Sequence, residues 1–212
     1  MSTLLIDTAT DHLVVALARD AQVLDASSAP GRAQSLPVLT ADLLDRNGLA
    51  ARDLTGIAVG TGPGAFTGLR IGVAFARGLA AALELPLMPI STLLALVHTT
   101  IDEVDGSAGG PFAAWAAIDA RRGEWFVTPV DGIVMGGRVE GARLLDPLPR
   151  TIVTSAQLDD MAARSLVRRG APSAAALARL AVSTQAIDPQ TVLPDYGRAP
   201  DAVPGTFAGV GG

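Results

Sequence analysis

The stretch GTGPGAFTGLRIGVAFARGLAAAL, residues 60–83, decides the fold. Four glycines (Gly60, Gly62, Gly64 and Gly68) and Pro63 stand between the apolar run Ile57-Ala58-Val59 and a long Ala-rich segment. The pattern reads strand, tight glycine turn, helix. Gly60, Gly62 and Gly64 can take φ > 0 and admit another backbone. Pro63 fixes one φ, and Thr67 is the expected helix N-cap. Free N–H groups at such a helix start hold anions, so a phosphate loop is the first reading to test. It fails. A P-loop closes on Lys-Ser/Thr, whereas this run closes on Phe66-Thr67-Gly68-Leu69-Arg70. All sixteen basic residues are arginines, so no P-loop or Schiff-base lysine exists in the chain. The loop also comes too far into the chain, after a different opening, for a dinucleotide fingerprint. A turn needed for close packing alone stands beside any functional reading.

In the helix that follows, Gly68, Gly72, Ala76 and Ala80 recur every four residues and form one stripe of very small side chains. Such a stripe lets a neighbouring helix approach closely. Leu69, Val73 and Leu83 flank it, Ile71, Phe75, Leu79 and Ala82 cover another side, and Arg70, Arg77 and Glu84 supply a polar edge. A helix apolar on two sides buries against two things. One is its own sheet; the other is either a second helix of the same domain or a partner chain. The stripe is expected to face away from the sheet, so that Gly72→Leu leaves the monomer folded while disrupting association.

Composition narrows the class. At 212 residues the chain forms one large domain or two small ones sharing an interface. Cysteine is absent, which excludes disulfides and thiolate metal sites. His12 and His98 are far apart and have no acidic residue at ligand spacing, so no metal is expected. No basic-then-apolar leader opens the chain, and the apolar residues 71–89 are interrupted by Arg77, Glu84 and Pro86; a cytoplasmic protein without a membrane span is the expectation. Net charge is −5, and no arginine run exceeds the pairs Arg121-Arg122 and Arg168-Arg169. With aromatics at 4%, neither a cationic patch nor a stacking platform for nucleic acid is evident.

Along the chain, residues 3–8, 13–19 and 22–28 read as three antiparallel strands. Residues 34–47 carry Leu36, Leu39 and Leu43 at helical spacing and stop at Asn47-Gly48. Residues 55–59 feed the glycine loop, 67–84 form the helix and 87–90 a further strand, after which Ser91 caps a helix to about residue 100. A polar, Gly-rich linker at 102–111 marks a boundary. Beyond it, Ala116-Ala117-Ile118-Asp119 followed by residues 124–130 echoes Ile6-Asp7 followed by residues 12–17, which suggests an internal duplication. Two strands around Asp131-Gly132, a strand at 151–154, and helices at 157–169 and 173–182 complete the reading.

GPGAFTGLRIG resembles the signature of the TsaB (YeaZ) proteins of bacterial tRNA threonylcarbamoyladenosine synthesis. LLIDTAT at residues 4–10, LELPLMPISTLLAL at 83–96, AAIDARRGEWFV at 116–127 and Asp195-Tyr196-Gly197-Arg198 resemble further blocks of that family in the same order. The resemblance implies an α/β fold of two actin-like ATPase (ASKHA, ribonuclease H-like) subdomains: residues 1–104 with partner-binding helices, a reduced 111–200, and a loose tail at 201–212. In that fold each half opens with a phosphate hairpin near Asp-x-Gly-Thr. Here the first reads Asp7-Thr8-Ala9-Thr10 and the second Asp119-Ala120-Arg121-Arg122. Both are degenerate, so Asp7, Thr10 and Asp119 are expected to serve as turn residues rather than as ATP ligands. Where the family often places His before Ser or Thr, this chain has Arg32-Ala33.

The resemblance therefore implies a non-catalytic scaffold without a cofactor. Its partners would be a TsaD-type catalytic subunit and a TsaE-type ATPase, with tRNA reached through the complex and a homodimer possible for the chain alone. The partner interface is expected on Leu36, Leu39, Leu43, Gly68, Leu69, Gly72, Val73, Ala76 and Ala80. Two alternatives stay open: a small-molecule kinase or ATPase of the actin-like superfamily, which would need intact phosphate hairpins, and a peptidase, for which no Gly-x-Ser-x-Gly elbow is present.

Overall fold

Alternation along β1 (Ser2–Asp7) sets the layering of the first half. Leu4 and Ile6 point to one face of the sheet and Leu5 to the other, and all three are fully buried. A strand apolar on both faces needs cover on both. A computed structural model describes residues 2–30, 33–104, 114–121, 124–129, 137–139, 151–154, 166–169 and 171–197. In it, β1 is the centre of a five-stranded sheet ordered β3-β2-β1-β4-β5, with β2 at His12–Arg19, β3 at Gln22–Pro30, β4 at Gly56–Gly62 and β5 at Leu87–Ser91. The β1–β2 and β2–β3 pairings are antiparallel, and β1–β4 and β4–β5 are parallel.

Two helices cover one face. Helix α1 (Leu36–Arg46) and α2 (Phe66–Leu83) bury Leu36, Leu43, Leu44, Val73, Ala76 and Ala80 against Leu4, Ile6, Val15, Ile57 and Val59. The stop after α1 follows its sequence: Gly48 takes φ +64°, and Leu49 N–H donates back to Leu44 O at 3.0 Å. Asp25 of β3 ties down the same end, accepting from Asn47 Nδ2 at 2.8 Å and Arg46 Nη2 at 3.0 Å. Helix α2 ends on Glu84 with φ 54°, a left-handed position that usually selects glycine.

The second sheet repeats the first. Strands β6 (Ala114–Arg121), β7 (Glu124–Pro129), β8 (Gly137–Val139), β9 (Thr151–Thr154) and β10 (Leu166–Arg169) lie in the order β10-β9-β6-β7-β8. Taking β6 as the counterpart of β1, every pairing has the same sense: β6–β7 and β7–β8 antiparallel, β6–β9 and β9–β10 parallel. The duplication suspected from two apolar-Asp blocks is one topology used twice.

Three expectations change. Residues 166–169, read as the end of a helix, form edge strand β10, whose backbone pairs with β9 in parallel register; residues 155–165, Asp131-Gly132 and the tail at 201–212 lie outside the described residues. The division at residue 111 does not hold in space. Helix α4 (Ala174–Ser183) crosses back and packs Leu177, Ala178, Leu180 and Ala181 on Leu5, Val14, Ala16 and Ala58, the other face of the first sheet. Conversely, α3 (Thr92–Val104) from the first half packs Leu93, Leu96 and Val97 against Ala116, Ile118 and Phe126 of the second sheet. Finally, β4 runs through Gly62, so Gly60 is strand, and of the three loop glycines only Gly62 takes a positive φ, +111°.

Candidate functional site

The β1–β2 turn, the glycine loop and the start of α2 meet at Asp7. Its carboxylate is fully buried; Oδ1 accepts Ala9 N–H at 2.9 Å and Oδ2 accepts the Thr92 hydroxyl at 2.7 Å. Thr92 Oγ1 in turn accepts Gly62 N–H at 3.1 Å, so one carboxylate joins β1, β4 and α3. Burial pushes the Asp7 carboxyl up to about 6, against the lowering pull of the Ala9 and Thr92 bonds. Gly60 is required beside it, since a Cβ there would fall inside contact distance of Asp7 Oδ2 and lie 2.6 Å from Cγ. Thr92 carries no signal in the sequence beyond following the cap Ser91, whose Oγ accepts Leu94 N–H at 3.3 Å.

The glycine loop receives the hairpin. Ala65 N–H donates to Ala9 O at 2.7 Å, and a Cβ on Gly64 would lie 2.8 Å from both Ala9 C and Cβ. Thr10 closes the turn locally, its Oγ1 accepting His12 N–H at 3.3 Å. The strand position of Asp119 opposite Trp125 makes β6–β7 the equivalent hairpin of the second half; its side chain lies outside the described residues.

The small-residue stripe of α2 faces inward, which corrects the expected seam. Thr8 is wedged against it: its hydroxyl donates to Gly68 O at 2.8 Å, and a Cβ on Gly72 would lie 3.2 Å from Thr8 Cβ and closer still to Oγ1. Leu69, Val73, Ala76 and Ala80 are buried in the monomer, as are Leu36 and Leu43; Leu39 is half-buried on the same core. The fully buried ones among them present no contact surface to a partner. The close approach that small residues permit is used by the chain's own hairpin. Thr67 is likewise not the cap: α2 begins at Phe66 with Ala65 as N-cap, and no side chain accepts its first N–H groups.

What α2 leaves outside is a different face. Ala74, Gly78 and Ala81 are exposed, Ile71 and Phe75 half-buried, and a Cβ on Gly78 would meet nothing within 4 Å. By length and composition this 18-residue helix, mean hydropathy 1.3, is apolar enough to cross a membrane, yet only 28% of it is buried inside the fold. At its start Phe66 is 53% exposed and stacks with Tyr196, ring centroids 4.9 Å apart, from the last described segment. A cleft of about 390 Å³ lies beside it, lined among others by Thr10, His12, Gln34, Thr67 and Ile71. Among the described residues no group of three or more His, Asp or Glu gathers as a metal site.

One sheet topology used twice, with an Asp-led hairpin opening each half, defines the actin-like ATPase fold. The profile of the TsaD family, tRNA N6-adenosine threonylcarbamoyltransferase, matches residues 28–139. The Escherichia coli K12 tRNA threonylcarbamoyladenosine biosynthesis protein TsaB is 39% identical over 127 residues, 58% of this chain and 52% of that protein. An uncharacterized protein of Mycobacterium tuberculosis H37Rv is 34% identical over 212 residues, 96% of this chain and 94% of its own. The solved structure of YeaZ from Pseudomonas aeruginosa superposes with a TM-score of 0.74 at 27% identity, covering 92% of this chain and 99% of that one. The chain belongs to the TsaB (YeaZ) family of the actin-like ATPase superfamily. It spans about half the length of the curated TsaB relatives it matches first, 52% and 54%.

Proposed function

We propose that this chain is a non-catalytic scaffold subunit of the cytoplasmic assembly that transfers threonylcarbamoyl to adenosine 37 of tRNAs reading ANN codons. The catalytic subunit is a TsaD-type relative, a TsaE-type ATPase joins them, and tRNA is met through the complex. The observation that carries the reading is the state of Asp7. In an ATP-binding relative this carboxylate would face metal and phosphate; here both oxygens are bonded internally and the glycine loop is packed on the hairpin in front of it. A fully buried carboxylate whose two oxygens already accept internal bonds is poorly placed to reach a nucleotide's metal. The names of the TsaB relatives support the pathway.

The partner seat moves from the inward stripe to the outward face of α2, around Ala74 and Gly78, with Phe66, 53% exposed, at its start. Apolar surface of this kind, on a helix otherwise built for a core, is what an interface buries. The same face would pair two copies when the chain is alone. The test is reconstitution. The TsaD-type subunit of the same organism should modify tRNA with this chain present and fail without it, while this chain alone should neither bind Mg-ATP with micromolar affinity nor shift tRNA. Modification at full rate without this chain would reject the scaffold role; a stoichiometric ATP site would favour the kinase alternative.

A further inference from the structure

We propose that Arg70 is a preorganised anchor for a carboxylate on a partner protein's helix, the helix lying along the Ala74–Gly78 face of α2. The inference deepens the scaffold reading and rests on it. The Arg70 guanidinium carbon sits 3.7 Å from the Phe66 ring centroid and 5.7 Å from that of Tyr196. Its Nε donates to Tyr196 Oη at 2.9 Å, across 126 residues of sequence. One face and one edge of the guanidinium are thus held, and the two Nη groups have no acceptor among the described residues. A guanidinium fixed in this way loses little rotamer entropy when its remaining fork takes a carboxylate bidentately. The segment that supplies Tyr196 is itself fixed: Asp195 N–H donates to Thr61 O at 2.7 Å, Val192 is buried in the first core, and Gly197 N–H donates to Asp195 Oδ1 at 2.8 Å.

The other cation of α2 is differently employed. Arg77 Nη2 donates to Gln190 O at 2.9 Å, so it fastens the same segment. Both Nη groups of Arg70 thus stay open beside an apolar helix face. Nucleic acid binding gains by neutralising several phosphates, and a chain of net charge −5 without an arginine cluster here is poorly built for it. A protein helix fits better. Exposed Ala74 and Gly78 allow close helix approach, and clustered Arg, Tyr and Phe are what interface anchors are made of. Arg70 stands eight residues, about 12 Å along α2, from Gly78, so the matching acid should lie about that far from the partner residue that meets Gly78.

The experiment captures the TsaD-type subunit with full-length variants whose melting temperatures are measured first. Gly78→Leu, on open surface, tests the face; Arg70→Lys and Arg70→Glu test the anchor; Tyr196→Phe keeps the rings and removes the hydroxyl. Gly78→Leu should abolish capture. Arg70→Lys should weaken it about tenfold and Arg70→Glu about a hundredfold. Reversing one partner acid to Arg should restore Arg70→Glu by at least about tenfold, which a merely structural role would not do. If Gly78→Leu blocks capture but Arg70→Glu binds like wild type, the anchor is wrong and the scaffold face stands. If neither matters, the face itself is elsewhere. Loss in Arg70→Glu that no partner reversal restores, or unchanged capture with weaker tRNA binding by the complex, would also overturn the carboxylate assignment.

Discussion

Thr8 and Gly72 show how one methyl group decides a contact. Thr8 spends its hydroxyl on Gly68 O, one turn before Gly72, so any side chain at 72 must displace the turn that carries Asp7. Gly72→Ala should lower stability by about 3 kcal/mol and Gly72→Leu should fail to fold, the values expected for overpacking against backbone. Pairing Gly72→Ala with Thr8→Ala should recover part of the loss in thermal melts; strictly additive losses would show that the two do not touch. Asp7 makes a second test at this scale. Its carboxyl is raised from 3.8 to about 6 by burial, so the protonated form is favoured by folding. The stability this gives is complete below pH about 3.8 and is lost as pH rises through about 6, a change of about 3 kcal/mol. Asp7→Asn, uncharged throughout, should gain on wild type by that order between those pH values in denaturant titrations. A constant difference across pH would mean that Asp7 does not titrate there.

Among the helices, the ends carry the testable chemistry. Helix α4 has a full cap: Ser173 Oγ accepts Ala176 N–H at 3.1 Å, and Ser173 N–H donates to Thr99 Oγ1 at 2.7 Å, which joins α4 to α3. Ser173→Ala should cost about 1–2 kcal/mol, above an isolated cap's value if the α3 link is also loosened. Helix α2 is built the other way, uncapped at Ala65 and strained at Glu84. Glu84 is exposed and holds φ 54°, so Glu84→Gly should raise stability by about 0.5–1 kcal/mol, read as a higher melting temperature. A lower one would mean that the Glu84 side chain is itself stabilising. The positions of α1 and α2 were readable from helical spacing, because spacing is local. Strand β10 was not, since Leu166–Arg169 has no periodicity of its own and becomes a strand by pairing with β9.

At the level of the whole molecule, the two halves trade helices. The face of the first sheet formed by Leu5, Val14, Ala16 and Ala58 is covered by α4, so residues 1–104 alone leave an apolar sheet face open. A fragment ending at residue 104 should aggregate or lack cooperative unfolding, and a fragment supplying residues 171–197 should restore it. Cooperative melting of the short fragment by itself would instead make the first half autonomous. The same crossing explains why Ile187 N–H reaches Leu87 O at 3.0 Å and why Tyr196 arrives at the start of α2.

The family and the doubled α/β plan were written in the sequence, because repeated Asp turns, alternating strands and a glycine-rich entry to a helix are local patterns. So was Ala9, standing where the hairpin of this fold has its glycine. Periodicity also placed Gly68, Gly72, Ala76 and Ala80 on one stripe, but a stripe of small residues serves an internal contact as well as an external one. Which way it turned was decided by Thr8, brought onto α2 from 60 residues away. Likewise the sequence showed Arg70 only as part of a polar edge, and its contact with Tyr196 spans 126 residues. Contacts between distant parts of the chain follow from how the two sheets share their helices, and that arrangement exists only once the tertiary fold has formed.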